Sequence, residues 1–109
     1  MIGASLEMKF LALEHDLPGV AAPGQFNEAL LKDEARRAWD LHQAGIIREL
    51  YFRADRHAAV LVLECADVEE ARGVLNTLPL VREKLIGFDV IPLTAYPGFA
   101  RLFADTTRT

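Results

Sequence analysis

Residues 57–65, HAAVLVLEC, are apolar in both alternating registers. In an extended chain Val60 and Val62 point one way, and Ala59, Leu61 and Leu63 the other. Such a strand must be covered on both faces, because a face left to water reads as polar. Helices can cover one side of the sheet. The other side then calls for a second sheet, supplied by another copy of the chain.

The rest of the 109 residues is punctuated by Gly and Pro. Met1–Glu7 carries no pattern and reads as a loose extension. MKFLALEHD (8–16), closed by Leu17-Pro18-Gly19, reads as the first strand, and LPGVAAPGQ as a loop. Helical spacing then holds from about Pro23 or Gln25 to Ala44, with Gly45 where a helix C-cap favours glycine. IIRELYFRA (46–54) is the second strand and 57–65 the third. The Asp55-Arg56 gap between them has hairpin spacing, and a bulge or longer loop fits it as well. Asp67 caps a second helix and Glu70 completes a capping-box pattern. Val68, Ala71, Val74, Leu75 and Leu78 follow helical spacing, and Pro79 predicts that the helix stops at Leu78. GFDVIPLTA (87–95) is the fourth strand, and Pro92 places it at an edge or leaves its far half unpaired.

The order β-α-β-β-α-β predicts an α+β fold of the ferredoxin-like type, a four-stranded antiparallel sheet with both helices on one face, pairing into a dimeric α/β barrel. Residues 8–95 form that domain. Residues 96–109 are a tail whose Tyr96, Phe99, Leu102 and Phe103 are expected to pack on a neighbouring subunit.

Composition excludes several functions. The net charge of −4 and the lack of a basic stripe argue against nucleic acid or an anionic membrane as partners. The longest apolar run, 58–63, is too short for a bilayer span. The start MIGASLEMKF lacks a basic segment followed by an apolar one, so no signal peptide is expected. Cys65 is the single cysteine, which fits a reducing cytoplasm and a small buried side chain. The three histidines lack metal-ligand spacing, and no phosphate loop, nucleophile elbow or Cys-His pair is present. No cofactor and no metal are expected.

Glu34 carries the most information. Stepping about 100° per residue from Leu30 puts Leu41 at about 20°, Glu34 at about 40° and Ala38 at about 80°, with Asp33, Arg36 and Asp40 opposite. A carboxylate inside an apolar arc is partly desolvated, which raises its pKa and suits it to proton transfer near neutral pH. The same placement also fits a structural ion pair with Arg48 or Arg53. On the second strand, alternation puts Arg48, Leu50 and Phe52 on one face, and Glu49, Tyr51 and Arg53 on the other. His15 closes the first strand and His57 opens the third, and both can exchange protons. Trp39 falls on the outer side of its helix, suited to a subunit contact.

These segments resemble the muconolactone isomerase family of the dimeric α/β-barrel superfamily. The resemblance runs through MKFLAL, through LLKDEARRAWDLHQAGIIRELYFRADRHAAVLVLECADVEEARGVLNTLPL, and through DVIPLTAYP, with the LPL helix end followed by a strand and a proline-bearing tail as its most specific part. It implies a cofactor-free isomerase that shifts a double bond in a small unsaturated lactone during aromatic breakdown. It further implies a homodimer or larger ring, with no nucleic-acid or membrane partner. Asp33-Glu34 matches the helix-one pair that holds the family's acid/base glutamate, and Arg48 matches an arginine that can grip a substrate carboxylate. Tyr51, His15 and His57 complete the expected substrate-binding set. The chain departs from the family at Tyr51-Phe52, where a Trp-Arg pair is usual, and at Ala59, where a polar residue is usual. The end LPLV…FDVIPL also resembles YCII-type proteins, which leaves a non-catalytic, small-molecule-binding barrel as the alternative.

Overall fold

Strand β1 (Met8–Asp16) lies between β3 (Ala59–Cys65) and β4 (Ile86–Leu93) in a four-stranded sheet, with β2 (Ile47–Phe52) outside β3. All neighbouring strands are antiparallel. This is the expected ferredoxin-like α+β arrangement. The computed structural model describes residues 7–19 and 25–104. The extension before Glu7, most of the loop at 17–25 and the last five tail residues lie outside that set.

The register pairs Phe10 with Leu63 and Ala12 with Leu61 and Val90. Phe10, Ala12, Leu61, Leu63 and Cys65 therefore share one face, where they are buried with Leu41, Leu75 and Leu78. Burying each of the Phe and Leu side chains among them stabilises the fold by roughly 1.5–3 kcal/mol. On the opposite face Leu11, Leu13, Val60 and Val62 are half-buried, while Ile91 and Leu93 are exposed. Among the described residues, no second layer covers that face.

Helix α1 (Glu28–Gln43) begins later than Pro23 or Gln25, because the Asn27 side chain accepts from the Leu30 amide at 2.9 Å and sets the N-cap there. Its C-terminus ends as expected. Gly45 adopts φ +82°, its amide donates to the His42 carbonyl, and the Ile46 amide reaches back to Leu41. Helix α2 (Val68–Leu75) is capped by Asp67, which accepts from the Glu70 amide at 2.8 Å, while the Glu70 carboxylate accepts from the Ala66 amide.

Pro79 acts differently from the expectation. Helix α2 already ends at Leu75, and Pro79 opens a separate short helix, α3 (Pro79–Arg82), at its first position. A proline fits there because the first amide of a helix has no intrahelical partner to lose. α3 closes with Lys84 at φ +62°, an unusual conformation for a residue with a side chain. Between β2 and β3 the six residues 53–58 form a loop longer than a two-residue hairpin, braced by Arg53 gripping the Asp55 carboxylate through two bonds of 2.8 and 2.7 Å. Pro92 sits on β4, the edge strand.

The tail leaves the sheet through a 3₁₀ turn, Pro97–Ala100, into α4 (Arg101–Ala104). Tyr96 and Phe99 meet edge-to-face at 4.9 Å, and a side chain at Gly98 would collide with the Tyr96 ring. Tyr96, Phe99, Leu102 and Phe103 are all exposed.

Cys65 is buried at the end of β3, and burial, then the carboxylates of Glu70, Glu7 and Asp67, push its thiol up to about 11. At pH 7.5 the folded chain should therefore resist iodoacetamide, and react once unfolded in urea. Equal labelling rates in the two states would contradict this burial.

Candidate active site

The C-terminal part of α1 packs on the sheet through buried Leu41. Further toward its N-terminus, Ala35 and Ala38 face the sheet with side chains too short to bridge the gap, and Ala59 on β3 adds no bulk below. A cavity of about 850 Å³ results. That is within the size range of small-molecule sites. Leu61 and Phe88 form part of its floor, Leu78 and Leu80 one end, and Phe52 and His57 part of its wall.

Three carboxylates also line this largely apolar space: Glu14, Asp16 and Glu34. Glu34 is half-buried, whereas its neighbour Asp33 is exposed. Its Oε1 accepts from the Leu80 amide at 2.9 Å, a donor near the start of α3 that has no intrahelical acceptor. Burial pushes the Glu34 carboxyl above its ordinary value, more than the Leu80 bond pulls it down. The negative charge of Glu14 adds to the rise, and Arg82 opposes it. Glu14 Oε1 accepts from the Ala59 amide at 2.7 Å. Asp16 is 3.7 Å from the Arg56 guanidinium.

Of the expected site residues, Glu34, Tyr51 and His57 line the cavity, whereas Arg48 and His15 do not. Arg48 is moved by a β-bulge. Ile47 pairs with Leu63 but Glu49 pairs with Val62, so one residue of β2 is extra and simple alternation fails there. Arg48 Nε lies 3.5 Å from Glu64, whose other oxygen is 3.5 Å from Lys9 Nζ, on the face turned away from the helices. Leu50 and Phe52 keep the helix-facing register, opposite Leu61 and Ala59. Tyr51 lines the wall, but its hydroxyl donates to Glu49 at 2.8 Å, and that bond and charge raise its pKa. His15 lies on the uncovered face, 3.6 Å from Asp89. His57 packs edge-on against the Phe52 ring at 4.5 Å. Neither Arg48 nor Arg53 is the ionic partner that α1 geometry allowed for Glu34, since they pair with Glu64 and Asp55.

Glu14 was not singled out by sequence reasoning. The signal was present: Phe10, Ala12, Glu14 and Asp16 share one register, so two carboxylates continue an apolar stripe. Among the described residues, no group of three His, Cys, Asp or Glu is placed to hold a metal ion. No helix among them is long and apolar enough to cross a membrane.

Residues 8–98 match the family model for muconolactone delta-isomerase. The chain belongs to the muconolactone delta-isomerase family. A crystal structure of muconolactone isomerase superposes with a TM-score of 0.67 at 27% identity, covering 83% of this chain and 92% of that one. No curated protein sequence matched. Within this family frame, Glu34 stands on the cavity wall while the arginine expected to accompany it stands on the opposite face of the sheet.

A raised pKa means the folded chain holds the Glu34 proton more tightly than the unfolded chain does. The stability linked to that proton is complete below the ordinary value of 4.5 and is lost as pH rises through the raised one. Glu34→Gln keeps an acceptor for the Leu80 amide without this loss. Its stability relative to the parent should rise as pH climbs from the ordinary value of 4.5 through the raised one and then level off, measured by urea unfolding. A difference independent of pH would contradict the assigned burial.

Proposed function

We propose that this chain is a cofactor-free isomerase that shifts a carbon–carbon double bond in a small unsaturated lactone. The observation that carries the proposal is Glu34: a half-buried carboxylate on the wall of an apolar cavity, with its pKa raised by burial. The Asp33-Glu34 pair also resembles the helix-one pair that holds the family's acid/base glutamate, which supports the reading. The ionised carboxylate takes a proton from the ring carbon at one end of the unsaturated system. That C–H bond breaks, its electron pair delocalises into the lactone as a dienolate, and Glu34 becomes a neutral acid. The same proton then returns to the carbon at the other end, leaving the double bond moved and Glu34 ionised again. The His57 imidazole on the cavity wall is a candidate hydrogen-bond donor to the lactone oxygen.

A base of this kind works best when its pKa approaches the working pH, which burial favours and a freely solvated glutamate would not. Glu34→Gln removes the proton carrier while keeping shape. It should lower kcat by roughly 10²–10⁴-fold. The melting temperature should move by less than about 4 °C, the shift expected from under ~1 kcal/mol in a domain of this size. Retained turnover, or a large loss of stability, would instead favour the second reading, a barrel that binds a small apolar metabolite without turning it over. The apolar wall of the cavity fits that reading equally well.

Aromatic-compound breakdown in the cytoplasm is the setting we propose, on the strength of family membership. The assembly is a homodimer or larger ring. Support comes from the uncovered face bearing Leu11, Leu13, Val60, Val62, Ile91 and Leu93, and from a tail whose four large apolar side chains are exposed. Sedimentation should show at least a dimer at micromolar concentration, and deletion of residues 96–109 should reduce the size or stability of the assembly. A monomer in the first experiment, or an unchanged assembly in the second, would count against the respective contact.

A further inference from the structure

We infer that the substrate of this cavity carries no negative charge: it is a neutral unsaturated lactone lacking the carboxylate side arm of muconolactone. The inference rests on the isomerase reading above only for the reaction, since the charge argument concerns binding. Glu14, Asp16 and Glu34 bring three carboxylates to the cavity wall. Among the described lining residues none is Lys or Arg, and His57 is the single side chain there able to carry positive charge.

The nearby cations are directed elsewhere. The bulge in β2 carries Arg48 to the uncovered face beside Glu64, and its Nη1 lies against Gly45. Arg53 is held by two bonds to Asp55. Arg56 lies 3.7 Å from Asp16 in an exposed pair and offsets that carboxylate in part. Arg82 acts on Glu34 through space from the exposed last turn of α3, outside the lining. Phe52 and Ala59, both on the wall, offer a carboxylated ligand no side-chain donor.

Charge conservation during the reaction points the same way. When Glu34 takes a proton from a neutral lactone, its negative charge passes to the dienolate, so the cavity's total charge does not change. A carboxylated lactone would add a further negative charge, with no guanidinium to receive it, throughout binding and turnover. Burying an unpaired charge beside like charges in a low-polarity site is strongly unfavourable.

Two matched pairs of probes test this with the full chain at pH 7.5. For turnover, 5-methyl-2(3H)-furanone is compared with its 5-carboxymethyl counterpart, following formation of the conjugated isomer. For binding, the saturated and unreactive 5-methyloxolan-2-one is compared with its 5-carboxymethyl analogue by calorimetry. The neutral member should win each comparison by roughly tenfold or more, a factor equivalent to one close like-charge contact. Glu14→Gln keeps an acceptor for the Ala59 amide, and should narrow the binding gap by improving affinity for the carboxylated probe. Preference for the carboxylated members in both pairs would overturn the inference while leaving the isomerase reading intact. Turnover of neither furanone, with tighter binding of the neutral saturated lactone, would overturn the isomerase reading and uphold the preference for an uncharged ligand. Equal affinity for the saturated pair would overturn the inference whatever the turnover.

Discussion

The hydrogen bond from the Leu80 amide to Glu34 joins the two parts of the molecule that make the site. Pro79 contributes no amide, so Leu80 offers the first free donor of α3, and the carboxylate of α1 accepts it across the end of the cavity. A glutamate whose Oε1 is held in this way is fixed in position yet keeps a second oxygen outside that bond. The Leu-Pro-Leu segment therefore orients the carboxylate on α1, about 45 residues earlier in the chain. Arg37 adds a parallel tie, donating to the Thr77 hydroxyl at 2.9 Å, so α1 is joined both to α3 and to the connection that precedes it.

Space at the site comes from small side chains rather than from a missing element. Ala35 and Ala38 on α1 and Ala59 on β3 are ordinary residues for a helix and a strand, and each looks unremarkable alone. Facing one another across a helix–sheet interface, they leave space that bulkier side chains would partly take up. The same interface is well packed further along α1, where Leu41 meets Phe10, Leu63 and Ile47 in the buried cluster. Packing at one end and alanine at the other let the fold remain stable around an apolar cavity.

Features governed by local backbone chemistry were legible in the chain. β1 spans 8–16 as the apolar run closed by Leu17-Pro18-Gly19 predicts, Gly45 takes the positive φ of a helix end, and Pro92 lies on an edge strand. The same chemistry misled where one residue type serves two purposes. Pro79 signals a stop in the sequence and is a start in the structure, since proline is compatible with both the residue after a helix and the first residue of the next. Lys84 ends α3 in the conformation that Gly45 adopts, but with no glycine to announce it. Glu34 was identifiable from helical angles, because the stripe it interrupts lies within one element. The cavity and the β2 bulge depend on facing partners, so no pattern within a single segment reveals them.

That bulge has a consequence for how such a site can diverge. In a regular strand the side a residue serves is set by parity, and a point substitution changes the chemistry at a position without changing its side. One additional backbone unit resets parity for everything beyond it. The insertion between Ile47 and Glu49 lets Leu50 and Phe52 face the helices while Arg48 serves the other surface with Lys9 and Glu64. Chain length, altered by a single codon, can thus transfer a guanidinium from the chamber to the surface while every residue type stays the same. In this fold, gain or loss of a residue is a route to new ligand charge preference distinct from exchanging one side chain for another.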